Sequence, residues 1–398
     1  MTPLDPEYAM FSRTEMERRY NRARELMAEK QLDVLLITGD HNFHYFAAAA
    51  ASIGPNNSLS RPSLFILPVG RDPMIVTQGG DNLALGCYVT DLREYSGVLS
   101  VPIGLVVECL KEAGLKNKRI GTELGQEQRM GIPVGVYLDL VAAMPEVEFV
   151  DAADIIIKTR MVKSQEELAY MRKAAEITAR ARQRLFDNHL APGMTEREVA
   201  RLMQQLILEE GGDGTSFVHF QYDIQSQLPG AKTAFHYERP LRKGTIFGID
   251  TGAYVGMYTV DYPRMVALGK ATDEQKRLYE ALLRVNSKMA EALRPGVSVS
   301  EIHRVGARAI EEVGVGPDNP QRLLGGSRMG HGQGIQFTEP PSITPDDHTV
   351  LEVGMVLSTE PGVGSRDLKL LWEDTHAITE DGHEQLTLET DELREIPF

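Results

Sequence analysis

A chain of 398 residues, 42% hydrophobic and 25% charged, is long enough for roughly two or three domains and has the make-up of a soluble globular enzyme. Its formal net charge of −15 argues against nucleic acid or an anionic membrane as partner. The two cysteines, Cys87 and Cys109, exclude a disulfide framework and a Cys-rich zinc site and point to a reducing, cytoplasmic compartment.

The opening MTPLDPEYAMF lacks a basic stretch and a long apolar one, so no signal peptide is expected, and the apolar runs LDVLLI and SLFILPV are strand-length. Ser12 and Glu15 form a capping box, with Phe11 and Met16 as a hydrophobic staple, for a helix to about Lys30. Strands follow at 32–38, 63–68, 73–77, 118–122 and 147–151, with helical stretches at 101–114 and 133–144. This alternation predicts an α/β domain over residues 1–158. Three further boxes, Ser164/Glu167, Thr195/Glu198 and Thr272/Gln275, and the pair Ser298/Glu301 open four helices in a second domain, 159–398. Strands and Gly/Pro turns fill 215–270 and the stretch after Gly314, so two helices followed by a β-hairpin occur twice.

Four carboxylates and one imidazole stand in apolar segments: Asp250 in GIDTGA, Asp261 in TVDYPR, His331 in MGHGQG, Glu360 in STEPG and Glu373 in LWEDT. Buried together they would repel one another, and two divalent cations would remove that cost. A hairpin turning at Val255–Gly256 sets Asp250 opposite Asp261, and one turning at Arg366–Asp367 sets Glu360 opposite Glu373. Facing cross-strand Cβ atoms lie about 5 Å apart, which suits ligands of ions about 3.5–4 Å apart. Hard oxygens with one nitrogen suit Mn²⁺, the expected ion, with Fe²⁺, Co²⁺ or Zn²⁺ open.

This ordered set, with GIDTG, GHGxG, STEPG and WED around it, resembles the pita-bread metallopeptidase family. DHNFHYFAA near the family's "NxxYLTG" stretch resembles its creatinase, prolidase and aminopeptidase P branch. Methionine aminopeptidases lack the N-terminal domain and creatinase lacks the ligands. The resemblance implies a creatinase-like α/β domain followed by a pita-bread domain with pseudo-twofold symmetry. It implies that Asp250 chelates one metal, Asp261 and Glu373 bridge, and His331 and Glu360 bind the other. Water activated between the ions would attack a peptide or amide carbonyl, with Glu360 as proton acceptor. His236 in AFHYERPL matches the family's "PHY" histidine, which contacts substrate.

Two positions depart from the branch. Thr338 stands where a second histidine follows the ligand histidine, and Leu371 where an arginine precedes the last ligand. Thr338 can donate a hydrogen bond at the catalytic centre, but it carries no charge and shuttles no proton near neutrality. The loss of both basic groups leaves room for a non-peptidase: a lyase, as the related dimethylsulfoniopropionate lyase, or a hydrolase of a small cyclic amide, as ectoine hydrolase. A metal-free binding protein is disfavoured by the intact ligands. Trp372 beside Glu373 is a candidate for packing or for the wall of the substrate pocket, and His376 a candidate neighbour of the ligands. The resemblance also implies a homodimer in which the N-terminal domain reaches the neighbour's active site. Arg61 in SLSRPSLF would then hold a substrate carboxylate, and the polar cluster His41, Asn42, His44 and Tyr45 would line the cleft.

Overall fold

The computed structural model describes residues 5–49, 59, 61–222, 238–314, 328–364 and 369–398. The chain divides into two compact units, Met1–Arg160 and Met161–Phe398.

The first unit contains α1 (Arg13–Glu29), β1 (Val34–Ile37), α2 (Asp40–Ala47), β2 (Leu64–Pro68), β3 (Met74–Thr77), α3 (Gly80–Ala84), β4 (Asp91–Glu94), α4 (Ile103–Ala113), β5 (Arg119–Thr122), α5 (Val134–Ala143) and β6 (Glu148–Asp151), with α6 (Ala153–Met161) at its end. Its sheet has the order β4-β3-β2-β1-β5-β6. Strand β1 runs antiparallel to β2 and parallel to β5. Every residue of β1 and β2 is buried because helices cover both faces. Val34, Leu36, Leu64 and Ile66 pack on Cys109, Leu110 and Leu140 of α4 and α5. Phe65, on the alternate face, meets Tyr20 of α1 and Phe46 of α2. Ser12 Oγ caps α1 by accepting from Glu15 N, and the Glu15 carboxylate holds Arg18 and Arg19.

The second unit holds α7 (Gln165–Asn188), α8 (Glu196–Glu209), β7 (Gly214–Tyr222), β8 (Ile246–Val255), β9 (Tyr258–Thr259), β10 (Tyr262–Leu268), α9 (Asp273–Glu291), α10 (Val299–Val313), β11 (His331–Gly332), β12 (Glu339–Ser342), β13 (Val356–Thr359), β14 (Gly362–Gly364), β15 (Lys369–Leu371), β16 (Asp374–Thr379), β17 (Gly382–Gln385) and β18 (Arg394–Ile396). Reciprocal capping boxes start α7, α8 and α9, and Ser298 Oγ accepts from Glu301 N at the start of α10. One sheet runs β18-β10-β8-β7 with β9 on β8; the other runs β12-β11-β13-β16-β17. A helix pair thus precedes each sheet. The core beneath the first sheet joins Ile177, Leu185, Val199 and Met203 of α7 and α8 to Phe247, Ile249 and Val266. No helix among the described residues is long and apolar enough to cross a membrane.

Candidate metal centre

The first carboxylate pair sits on the β8–β10 hairpin, in a register that differs from the expected one. Val255 pairs with Tyr258, so the turn is Gly256–Met257, both at left-handed φ (55° and 72°). This moves the register by two residues, and Asp250 faces Pro263 rather than Asp261. Asp261 lies in a break between β9 and β10. In the hairpin's register it stands across from Gly252, a diagonal neighbour of Asp250 on the same face. A Cβ on Gly252 would overlap the Val260 carbonyl, so glycine is what admits this break.

The second pair sits between two ladder segments. Thr359 pairs with Asp374 and Gly362 with Leu371, and the same register sets Glu360 opposite Glu373 between them. His331 enters from β11, whose Gly332 pairs with Leu357 on β13. Its Nδ1 lies 3.0 Å from the Gly332 carbonyl, which only accepts, so Nδ1 carries the hydrogen and Nε2 presents a lone pair. That Nε2 stands 3.7 Å from Asp261 Oδ2, 3.6 Å from Glu373 Oε1 and 3.9 Å from Glu360 Oε2. Burial, and then the Arg328 charge, lowers the imidazole pKa to about 3, so the ring is neutral.

The electrostatics of this cluster call for cations. Ligand atoms of Asp261, His331 and Glu373, all buried, lie within 4.8 Å of one another. Burial, then the charges of Glu373 and Asp250, pushes the Asp261 carboxyl well above the usual carboxylate range. Glu373 is raised by burial, then by Glu360 and Asp250. Asp261 Oδ1 is buried without a hydrogen-bond donor. An imidazole lone pair aimed at a group of acceptors, each beyond hydrogen-bond reach, is a donor set that divalent cations satisfy. The residues present therefore fit divalent metal binding.

Behind Glu373 the strand is anchored through its opposite face. Arg264 Nη1 donates to Glu373 O (2.9 Å) and Nη2 to Asp374 Oδ1 (2.6 Å), while Asn286 Nδ2 donates to Asp374 Oδ2 (2.8 Å). Trp372 Nε1 donates to the same Asp374 Oδ2 at 2.7 Å. The indole has no exposed surface, lies under the Arg264 guanidinium (4.1 Å) and meets Tyr279 edge-on. Strand alternation turns residues 372 and 374 away from the side of 373, so the expected place of Trp372 in the substrate wall is corrected to core packing. His376 shares that rear face and bonds Thr359 Oγ1 through Nε2 (3.2 Å).

The remaining expected residues are spread over both units. Thr338 is half-buried in the bend before β12, next to exposed Phe337, and Leu371 is buried at the end of β15. His236 lies outside the described residues. Arg61, His44 and Tyr45 belong to the first unit, where Arg61 is half-buried. The stretch expected as a cleft-lining polar cluster is helix α2, with Asn42, His44 and Tyr45 turned inward and His41 exposed. Tyr45 is 1% exposed and its hydroxyl donates to Thr159 O; Asn42 donates to Glu123 and accepts from Arg160. His44 is buried, which lowers its pKa to about 4 and keeps it neutral.

Arg328 and His219 are neighbours of the centre that the sequence does not single out. Arg328 Nη2 lies 3.8 Å from Glu360 Oε2, with a third of its side chain exposed. A basic residue three positions before the ligand histidine was the available signal. His219 on β7 pairs directly with Asp250, and its ring touches Phe217, which in turn touches Phe337. Nothing in TSFVHFQY singles it out until β7 is paired with β8.

Comparison with known proteins agrees with this architecture. Residues 169–380 match Metallopeptidase family M24, and residues 19–162 match the Creatinase/Prolidase N-terminal domain. A Xaa-Pro dipeptidase of Pyrococcus horikoshii is 27% identical over 373 residues, 93% of this chain and 96% of the relative. A Xaa-Pro dipeptidase of Lactobacillus delbrueckii subsp. lactis is 32% identical over 279 residues, 68% of this chain and 72% of the relative. The solved structure of a Xaa-Pro dipeptidase from Bacillus anthracis superposes with a TM-score of 0.80 at 22% identity, covering 96% of this chain and 99% of that one. An X-Pro aminopeptidase from Thermotoga maritima gives 0.78 at 22% identity, with 94% and 100% covered. At these identities the structural likeness carries the fold.

Proposed function

The chain belongs to metallopeptidase family M24, in its creatinase, prolidase and aminopeptidase P branch, and from that premise we propose a dinuclear-metal hydrolase that cleaves Xaa-Pro peptides. It is a metal-dependent hydrolase with a creatinase-like N-terminal domain and a pita-bread domain. The observation that carries the proposal is the buried Asp261, His331 and Glu373 group, joined by Asp250 and Glu360. The Xaa-Pro dipeptidase relatives support the substrate class.

In this reading Asp250, Asp261, His331, Glu360 and Glu373 would together hold two cations. Manganese is the proposed ion, since the set is mostly hard oxygen with one imidazole. The ions supply Lewis acidity and lower the pKa of water toward neutrality. Glu360 takes the proton as the carbonyl is attacked and returns it to the leaving imino nitrogen of proline. Arg328, poised beside Glu360 and partly open to solvent, meets the substrate carboxylate and stands in for basic groups absent at Thr338 and Leu371.

The test is turnover of Ala-Pro, Ala-Pro-Ala, a non-proline dipeptide and dimethylsulfoniopropionate, with Mn²⁺ and with chelator. Metal-dependent release of the N-terminal residue from a Xaa-Pro substrate is expected, and dipeptide against tripeptide separates dipeptidase from aminopeptidase. The uncharged Thr338 and Leu371 favour a second reading, a lyase or a hydrolase of a small cyclic amide. Silence on every peptide by a metal-loaded protein would select it.

A further inference from the structure

Asp261 lies outside the β-ladder, so its peptide N–H and C=O need partners from elsewhere. Gln333, two residues after the ligand histidine and fully buried, provides both. Its Oε1 accepts from Asp261 N (3.2 Å), and its Nε2 donates to Asp261 O (2.9 Å). The remaining bonding capacity crosses to the other hairpin. Nε2 also donates to Glu373 Oε1 (3.1 Å), and Oε1 accepts from Thr375 Oγ1 (3.0 Å). The partners are chemically distinct, two acceptors on one side and two donors on the other, so the amide has a single orientation that satisfies all four bonds.

We propose that Gln333 is a positioning residue of the metal centre: one side-chain amide acts as a surrogate strand for the Asp261 backbone and aims the Glu373 carboxylate, coupling the two hairpins. The proposal rests on the metal-site reading above. Glu373 Oε1, which takes the amide hydrogen, is also the oxygen 3.6 Å from His331 Nε2, so the bond orients the carboxylate at the place where a metal ligand is needed. Neighbours that orient ligands in this way commonly set metal affinity within about 10–100-fold.

The test compares wild-type protein, Gln333→Met and Thr375→Val by calorimetric titration of the metal-free full chain with Co²⁺ and by the Co²⁺ visible absorption spectrum. Gln333→Met keeps the side-chain length and removes all four bonds; about a 10–100-fold weaker affinity and shifted absorption bands are expected. Thr375→Val keeps the amide and removes one partner, so a smaller loss with a spectral shift in the same direction is expected. Unchanged Co²⁺ affinity and spectrum in Gln333→Met would overturn the proposal, even with a lowered melting temperature, because the amide would then serve the fold alone. If Gln333→Met does not fold, Thr375→Val decides, and wild-type affinity and spectrum there overturn the proposal. Failure of the wild-type chain to bind Co²⁺ would sink the metal-site reading and this inference with it.

Discussion

The two hairpins that carry the carboxylates solve one problem differently. On β13–β16 the two glutamates are directly opposed between paired segments, and an uninterrupted register brings them together. On β8–β10 the two aspartates are diagonal neighbours, and a strand break over Gly252 carries Asp261 into place. Glutamate has one more methylene than aspartate, and its pair sits in a gap between ladder segments that keeps the register on either side. The shorter aspartate pair relies on an irregular backbone, which in turn needs partners for its peptide groups. The first hairpin is therefore the more fragile and the second the more rigidly backed.

The largest expected effect comes from removing a carboxylate shared between the hairpins. Asp261→Ala should lose Mn²⁺ binding and reduce turnover to background, read by titration and by assay with added metal. Full turnover of this variant in chelator would break the account of both hairpins together. Gly252→Ala targets the fragile hairpin alone. The added methyl meets the Val260 carbonyl, so a loss of about 1–3 kcal/mol in stability is expected along with weakened metal binding. A denaturant melt and a metal titration that both match wild type would show that the break does not depend on glycine.

Trp372→Phe probes the backing of the second hairpin. Losing the indole N–H to Asp374 should cost about 1–3 kcal/mol while leaving KM unchanged, since the ring faces away from the centre. A raised KM at unaltered stability would return Trp372 to the substrate wall. The smallest effect concerns His376 on the same rear face. Burial, opposed by Asp374 and aided by His383, lowers its pKa from 6.5 to about 4. The unfolded chain therefore takes up a proton near pH 6.5 that the folded chain refuses until about 4, so stability is full above 6.5 and is lost as pH falls through that window. Between pH 7 and 6 its contribution is about 0.7 kcal/mol, and His376→Gln should reduce the slope in denaturant melts by that share, leaving the shares of His44 and His331.

Much of this was legible in the chain, for identifiable reasons. The capping boxes at Ser164, Thr195 and Thr272 are local chemistry and appear at those positions. The glutamate pair was readable because the register Gly364 with Lys369 is the one that the midpoint between Glu360 and Glu373 gives. The aspartate pair misled because its turn was assumed to lie midway between the ligands, whereas a left-handed two-residue turn at Gly256–Met257 sets the register. Trp372 was assigned by proximity to Glu373 along the chain, and period-2 alternation reverses that inference. Helix α2 was hidden by its histidines, which read as polar surface until Phe43, Phe46 and Ala47 are seen to bury one side. His219 and Gln333 depend on long-range pairing, which no local pattern encodes.

The proposed site holds two cations among four buried carboxylates and one neutral imidazole. Calorimetric titration of the metal-free protein with Mn²⁺ near neutral pH, in two buffers of different ionisation enthalpy, tests it most directly. Two equivalents per chain are predicted, with release of protons as the direction set by burial and mutual repulsion, which raise the Asp261 and Glu373 carboxyls when no cation is present. No binding, or a single equivalent with no proton released, would contradict it.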